Sequence, residues 1–255
     1  MKALRKLIVT AVLAGALVPS AGRVSASPEP LVDDDAPVNL FRAAPFPFPI
    51  MPVGMSSGGA TAVVQVRLLN LGFWLKEANG ENDMTTRQAV MAFQKYRGLK
   101  PTGGVDPETA HALSEPQEPA AGKATEGDVV EVDLERQLAF VIQDGVTTMT
   151  LNVSTGHGGE YTARSKNNPN IVIDDVADTP TGKYRVWRVR PDGWWEGDLG
   201  SIYRPIYFKG GIAFHGSAVV PAYPASHGCV RVSVDAMDKL WDMNVLPLHA
   251  RVHVY

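Results

Sequence analysis

The 255-residue chain contains a single cysteine, Cys229, so no intramolecular disulfide can form. A leftover thiol in an oxidising compartment points to intermolecular pairing or to a reactive nucleophile. Charge of one sign is also missing. Lys and Arg total 24 against 27 Asp and Glu, a net charge of −3, which leaves no basic footprint for nucleic acid. There is no CxxC, no HExxH and no Gly-rich phosphate loop, which removes the common zinc and nucleotide signatures.

Long apolar runs are absent except at the start, in "MKALRKLIVTAVLAGALVPSAGRVSASPEP". Lys2, Arg5 and Lys6 form a positive segment, Leu7 to Val18 an apolar run, and Val24-Ser25-Ala26 a small-residue cleavage site. That layout predicts a signal peptide over residues 1–26 and export to the cell wall, periplasm or cell surface. The run is short for a membrane span, so no integral span is expected after cleavage. No cysteine follows it, which argues against a lipid-modified N-terminus. An uncleaved N-terminal anchor is the alternative reading.

Residues 27–58 are Pro-rich, with Asp33 to Asp35 clustered and neither a helical nor a strand period. They predict a disordered tether. From 59 to 114 the pattern is helical. Val64, Leu68 and Leu71 share one face, with Gly72 as the stop. Thr85 and Gln88 have the spacing of a capping box, and Ala89, Phe93 and Tyr96 follow at helical intervals before Gly98. Asp106 and Pro107 open a third helix. A small all-α three-helix bundle is expected. Residues 115–126, rich in Pro, Ala and Glu, predict a linker and domain boundary.

Residues 127–255 predict a β-rich, sandwich- or barrel-like domain with little helix. Asp144-Gly145 lies between two β-branched runs as a hairpin turn. "TPTGKYRVWRVR" reads as a turn and one alternating strand bearing Tyr184, Val186 and Val189, and "RVHVY" as the last strand. One helix is expected after Ser233, with Val234, Met237, Leu240 and Trp241 as its core stripe. "RPDGWWEGDLGS" reads equally as a lid or as aromatics covering a core edge.

Most lone cysteines are buried and inert. Three features of "HGSAVVPAYPASHGCVRVS" argue otherwise. Gly228 lets backbone approach a reacting carbonyl. Two imidazoles stand nearby in sequence, His227 and His215. Arg231 offers a fork for a carboxylate. A thiolate–imidazolium pair would require the thiol pKa to drop by about two units, roughly 2.7 kcal/mol. Amides in the turn Ser226 to Cys229 would then stabilise an oxyanion. Residues alone leave His215 and His227 open as the base. A zinc site of His215, His227 and Cys229 is disfavoured because no fourth ligand stands at a motif spacing.

These residues resemble a known family. His-Gly followed by Ser-His-Gly-Cys-hydrophobic-Arg is similar to the L,D-transpeptidase catalytic motif, and "VSTG" (Val153 to Gly156) and "TPTG" (Thr179 to Gly182) are similar to its other landmarks. His215 and Ser226 are separated by ten residues, towards the short end for the family. The segment 59–114 resembles the peptidoglycan-binding three-helix domain through Gln65, Leu68, Gly72, Phe93-Gln94, Gly104-Val105-Asp106 and Leu113, though its "LKEANGEND" loop is longer and more polar.

The resemblance implies Cys229 as nucleophile and His215 as general acid/base, oriented by the Gly216 carbonyl. It implies Ser226, His227 and Gly228 around the oxyanion, and Arg231, Tyr203 and Tyr207 at the substrate. The implied reaction is attack on the third-position diamino acid of a peptidoglycan stem peptide and release of terminal D-Ala. A second stem peptide is the acceptor, which gives a 3→3 cross-link. No cofactor is implied, and no protein partner is identified. The alternatives are an L,D-carboxypeptidase or cysteine peptidase on the same substrate, or an inactive wall-binding protein.

Overall fold

A computed structural model describes residues 49–255, which belong to one compact unit. The expected signal peptide and most of the expected Pro-rich tether lie outside the described residues. Three helices come first: α1 (Gly59–Asn70), α2 (Met84–Tyr96) and α3 (Pro107–Ser114). Val64, Leu68 and Leu71 are buried as their spacing predicts, and Gly72 leaves α1 with φ of 82°. Asp106 caps α3 by accepting the Thr109 N–H at 2.8 Å, with Pro107 in its first turn.

The cap of α2 differs from the expected box. Asp83 is the cap, accepting the Thr86 N–H at 2.7 Å. The Thr85 hydroxyl instead donates to Asp83 and accepts the Lys76 N–H at 3.1 Å. A carboxylate two residues earlier out-competes a hydroxyl as acceptor for first-turn amides. Gln88 is thereby released for a different task.

The β-rich part has twelve strands and one helix. The first sheet has the order β3-β2-β1-β12-β6, from β1 (Val129–Asp133), β2 (Leu138–Gln143), β3 (Val146–Asn152), β6 (Gly182–Arg185) and β12 (Arg251–Val254). Its β2–β3 hairpin turns on Asp144 (φ 49°) and Gly145 (φ 79°). The second has the order β11-β10-β9-β7, from β7 (Arg188–Val189), β9 (Gly200–Lys209), β10 (Ile212–Ser217) and β11 (Val230–Ser233), with β8 (Trp194–Gly197) paired to β9. A small hairpin joins β4 (Glu160–Arg164) to β5 (Val172–Val176). The helix α4 (Val234–Asp242) is capped by Ser233, as expected.

"KYRVWRVR" is not one strand. It breaks at Val186–Trp187, so that β6 pairs with β12 in one sheet and β7 with β9 in the other. Val186, fully buried at the crossing, sits in the core between the sheets.

Two buried clusters explain the packing. One fills the space between the sheets and under α4, with Val130, Val141, Phe214, Val232 and Met237. The other lies beneath the helices and takes Leu138, Phe140 and Ile142 from the opposite face of the first sheet. Strands covered on both faces read as continuous apolar runs, as "LAFVI" does. The helices therefore share a core with the sheet.

Residues assigned by composition to tether and linker are built into this arrangement. Ile50 is buried, and Gly54 and Val105 exchange two backbone hydrogen bonds of 2.8 Å. Ala120 is buried with its N–H on the Leu71 carbonyl, and the Lys123 and Ala124 amides donate to the buried Glu131 carboxylate. Their Pro and Ala content hides these anchors, which are set by distant partners.

Polar contacts also join α2 to the β-rich part. Lys95 Nζ donates to the Gln137 and Val153 carbonyls at 3.1 and 3.2 Å, and burial pushes its pKa down to about 7. Gln88 donates to the Val220 carbonyl at 3.1 Å and accepts from Asn152 Nδ2 at 2.6 Å, both buried. Gln88→Leu would orphan both partners, a cost of about 1–3 kcal/mol. For a chain of this size the melting temperature should fall by about 2–4 °C per kcal/mol. Calorimetry or dichroism checks it.

Candidate active site

β10 and β11 run parallel, with Phe214 beside Val230 and His215 beside Arg231. Alternation sends Phe214, Val230 and Val232 into the core, where each is fully buried. It sends His215 and Arg231 to the opposite face. Cys229, one residue before β11, shares that face with Arg231. On the neighbouring strand Tyr207 pairs with Ala213, two residues from His215, so it faces the same side. Sheet pairing thus brings thiol, imidazole, guanidinium and phenol together.

Tyr203 is not brought to this face. A register shift lies opposite His215, where Arg204 (φ 46°) and Pro205 add a residue to β9. Such a bulge turns the following side chains over. Tyr203 therefore packs against the inter-sheet core and donates to Asp238 of α4 at 3.0 Å. Trp194 packs against Tyr203 at 5.3 Å between rings, and Trp195 faces the Arg190 guanidinium. Both sit on β8, so the Trp pair lies on a sheet hairpin.

The turn before the thiol is held from three sides. Ser226 Oγ donates to the Cys229 carbonyl at 2.5 Å and accepts the Gly228 N–H at 3.0 Å. Thr155 of "VSTG" accepts the Ala225 and Ser226 amides, and Ser154 exchanges backbone bonds with Arg231. Thr179 of "TPTG" donates to the Gly228 carbonyl at 2.6 Å and accepts the Gly156 N–H at 2.9 Å. Those two landmarks brace the turn before Cys229. Gly156 is required because a Cβ there would lie 2.3 Å from the Ala177 carbonyl oxygen.

His215 is buried, and its Nδ1 lies 2.9 Å from the Gly216 carbonyl oxygen. A carbonyl only accepts, so Nδ1 carries the proton and Nε2 keeps its lone pair. Burial pushes the His215 pKa down to about 4; the Gly216 bond opposes this and the nearby Arg231 reinforces it. Burial pushes the Cys229 thiol up, outweighing the Ala213 N–H and Arg231, which favour the thiolate.

Burial of both groups disfavours the thiolate–imidazolium pair expected from sequence, against the pull of the adjacent cation on the thiol. The thiol donates to the Gly211 carbonyl at 3.7 Å, and among the described residues no hydrogen bond joins the sulfur to either imidazole.

A lowered His pKa has a consequence for stability. Between pH 6.5 and about 4 the unfolded chain binds a proton at His215 that the folded chain does not. Stability therefore falls as pH drops through that window, by up to about 3 kcal/mol. His215→Gln should flatten this part of a stability–pH curve measured by denaturant titration.

His227 is exposed, and its ring makes its contacts with other aromatic side chains. Its ring meets Tyr161 at 4.6 Å and His157 at 6.0 Å, and partial burial with Arg231 and His157 lowers its pKa. Tyr161 of β4 and His157 line this side of the site, and burial, Asp175 and Cys229 raise the Tyr161 hydroxyl. Nothing in the sequence marked Tyr161, which reaches the site only through the β4–β5 hairpin. Among the described residues no three His, Cys, Asp or Glu side chains are placed to hold a metal ion.

A thiol, an imidazole with one free nitrogen and a guanidinium on one sheet face suit acyl transfer through a covalent intermediate. Comparison with known proteins agrees in class. The L,D-transpeptidase catalytic domain model matches residues 127–254 and a peptidoglycan binding domain model matches 57–113. The chain is similar to the L,D-transpeptidase from Xylanimonas cellulosilytica DSM 15894, with 40% identity, 82% of this chain and 99% of that chain covered, and a TM-score of 0.72. The L,D-transpeptidase from Stackebrandtia nassauensis matches with 21% identity over 78% of this chain and 92% of that one, TM-score 0.44. The one from Mycobacterium smegmatis matches with 17% identity over 52% and 59%, TM-score 0.39. No curated protein matches. The chain belongs to the L,D-transpeptidase family of enzymes.

Proposed function

We propose that the protein is an exported cysteine L,D-transpeptidase that cross-links peptidoglycan stem peptides in the 3→3 sense through a thioester on Cys229. The observation carrying this is the placement of Cys229, His215 and Arg231 on one face, with His215 Nδ1 tied to the Gly216 carbonyl.

Nε2 of neutral His215 takes the thiol proton as the sulfur attacks the carbonyl of the third-position diamino acid. The Gly228 amide is engaged by Ser226 Oγ, so the His227 and Cys229 amides are the donors proposed for the oxyanion. Collapse breaks the peptide bond, and the imidazolium passes its proton to the departing D-Ala amine. The side-chain amine of a second stem peptide then loses a proton to His215, attacks the thioester and restores the thiol. Arg231 binds a substrate carboxylate. The helical region, matched by a peptidoglycan-binding model, supports the same substrate. The N-terminal segment supports export.

Water in place of the amine would make the site an L,D-carboxypeptidase. Incubation with a disaccharide-tetrapeptide and mass analysis separates the outcomes. Transpeptidation gives a tetrapeptide–tripeptide dimer and one D-Ala, and hydrolysis gives tripeptide and D-Ala. No D-Ala release from correctly folded protein would overturn the proposal.

A further inference from the structure

A second guanidinium lies on the thiol face. Arg188 of β7 pairs with Tyr207 of β9, and Tyr207 pairs with Ala213 of β10. Ala213 in turn lies beside Cys229, since the next pair along is Phe214 with Val230. The side chains at these four positions form one row across the sheet. Ala213 contributes only a methyl, so the surface between sulfur and phenol stays low. Arg188 holds its guanidinium carbon 5.1 Å from the Tyr207 ring centroid and 6.0 Å from that of Trp187. Such stacking fixes the plane of the group and leaves its N–H edge free. Among the described residues neither Arg188 nor Arg231 donates a side-chain hydrogen bond or joins an ion pair. Two half-buried cations, Arg231 along the strand from Cys229 and Arg188 across the sheet from it, each without a counter-charge, match a substrate that brings two anionic groups.

The spacing separates their tasks. Neighbouring strands are about 4.8 Å apart, so three steps place the Arg188 and Cys229 backbones about 14 Å apart. Leaning over Tyr207 brings the guanidinium about one strand closer, so a carboxylate bound there would sit about 7–10 Å from the sulfur. The carboxylate of the departing residue is only three bonds from the attacked carbonyl and cannot reach that far. It falls to Arg231, beside His215. A span of 7–10 Å is about two residues of extended chain, the attacked residue and the one before it, plus the reach of a side chain, which puts the second carboxylate on the acyl side.

We propose that Arg188 is a specificity-determining residue that binds a free carboxylate on the donor-peptide residue preceding the one whose carbonyl Cys229 attacks. This rests on the donor-peptide reading given above and adds to it a preference for the acid over the amide at that position.

Binding can be tested without turnover on full-length Cys229→Ala. By calorimetry, a donor tetrapeptide with this carboxylate free should bind about tenfold tighter than the same peptide with a primary amide there. The difference should shrink at high salt. Adding Arg188→Met should abolish the difference and leave the amide peptide within about twofold, whereas Arg188→Lys should keep part of it. Melting temperatures of the variants report folding. Equal affinities for acid and amide, a difference that survives Arg188→Met, or no binding of either peptide would each overturn the inference. Product masses with wild-type protein judge the parent reading separately, so a carboxylate preference without D-Ala release would refute only the latter.

Discussion

His215→Gln should lower the rate of Cys229 acylation by a donor tetrapeptide by about 10²–10⁴-fold at pH 7, the usual worth of a positioned general base. Two features set this size. Burial holds the thiol above its ordinary pKa, so little thiolate exists without help. The imidazole is neutral over nearly the whole working range, its pKa pushed down to about 4. The wild-type rate should therefore stay nearly flat from about pH 5 until the thiol itself ionises. In the variant the rate should climb about tenfold per pH unit, because only pre-formed thiolate reacts. Time courses of acyl-enzyme mass across pH check both. A variant within threefold of wild type at pH 7 would assign the base elsewhere, with His227→Gln as the comparison.

Gly228→Ala should be nearly as damaging, by a different route. Gly228 has φ of 128°, a conformation that side chains rarely adopt, and a Cβ there would lie 2.7 Å from the Asp178 carbonyl oxygen. Neither group is a flexible side-chain end, so backbone has to move. The 2.6 Å bond from Thr179 to the Gly228 carbonyl then breaks, and Cys229 shifts with the turn. Misplacing a nucleophile by about 1 Å can cost about 10²-fold in rate, and backbone strain adds about 1–3 kcal/mol. Gly158→Ala is the control, with φ of 77° but nothing within 4 Å of the added carbon. It should lose stability modestly and keep its rate. Acylation kinetics and melting curves of the two variants check the contrast.

Local rules carried much of this structure. The apolar face of α1, the Asp106 and Ser233 caps and the Asp144-Gly145 turn each depend on residues within one turn of chain, and each is legible in sequence. What failed to read depends on distant partners. A Pro/Ala/Glu stretch resembles a free linker, yet the buried Glu131 carboxylate holds Lys123 and Ala124 in place. The covering helices had left a trace in the uninterrupted apolar run of β2. Asp83 and Thr85 both stand where a cap could form; the carboxylate takes the first-turn amide, and the Lys76 amide, from the preceding loop, takes Thr85.

The site divides in the same way. Cys229, His215 and Arg231 were singled out by motif, and strand pairing explains why their spacing works. Tyr203 and Tyr207 are four residues apart and would share a face on a regular strand, but the Arg204–Pro205 bulge turns Tyr203 to the core. The direction of the thiol and imidazole shifts is set by burial, which adjacent residues do not reveal. Thr179 acts on Gly228 across 49 positions, so its role as a brace appears only in the fold.

The central claim is that chemistry passes through a covalent bond to Cys229. Intact-protein mass spectrometry during turnover of a disaccharide-tetrapeptide tests it most directly. A transient species heavier by the disaccharide-tripeptidyl acyl group is expected, mapped to Cys229, cleaved by hydroxylamine, and missing from Cys229→Ala together with all D-Ala release. D-Ala release that persists in Cys229→Ala would contradict it.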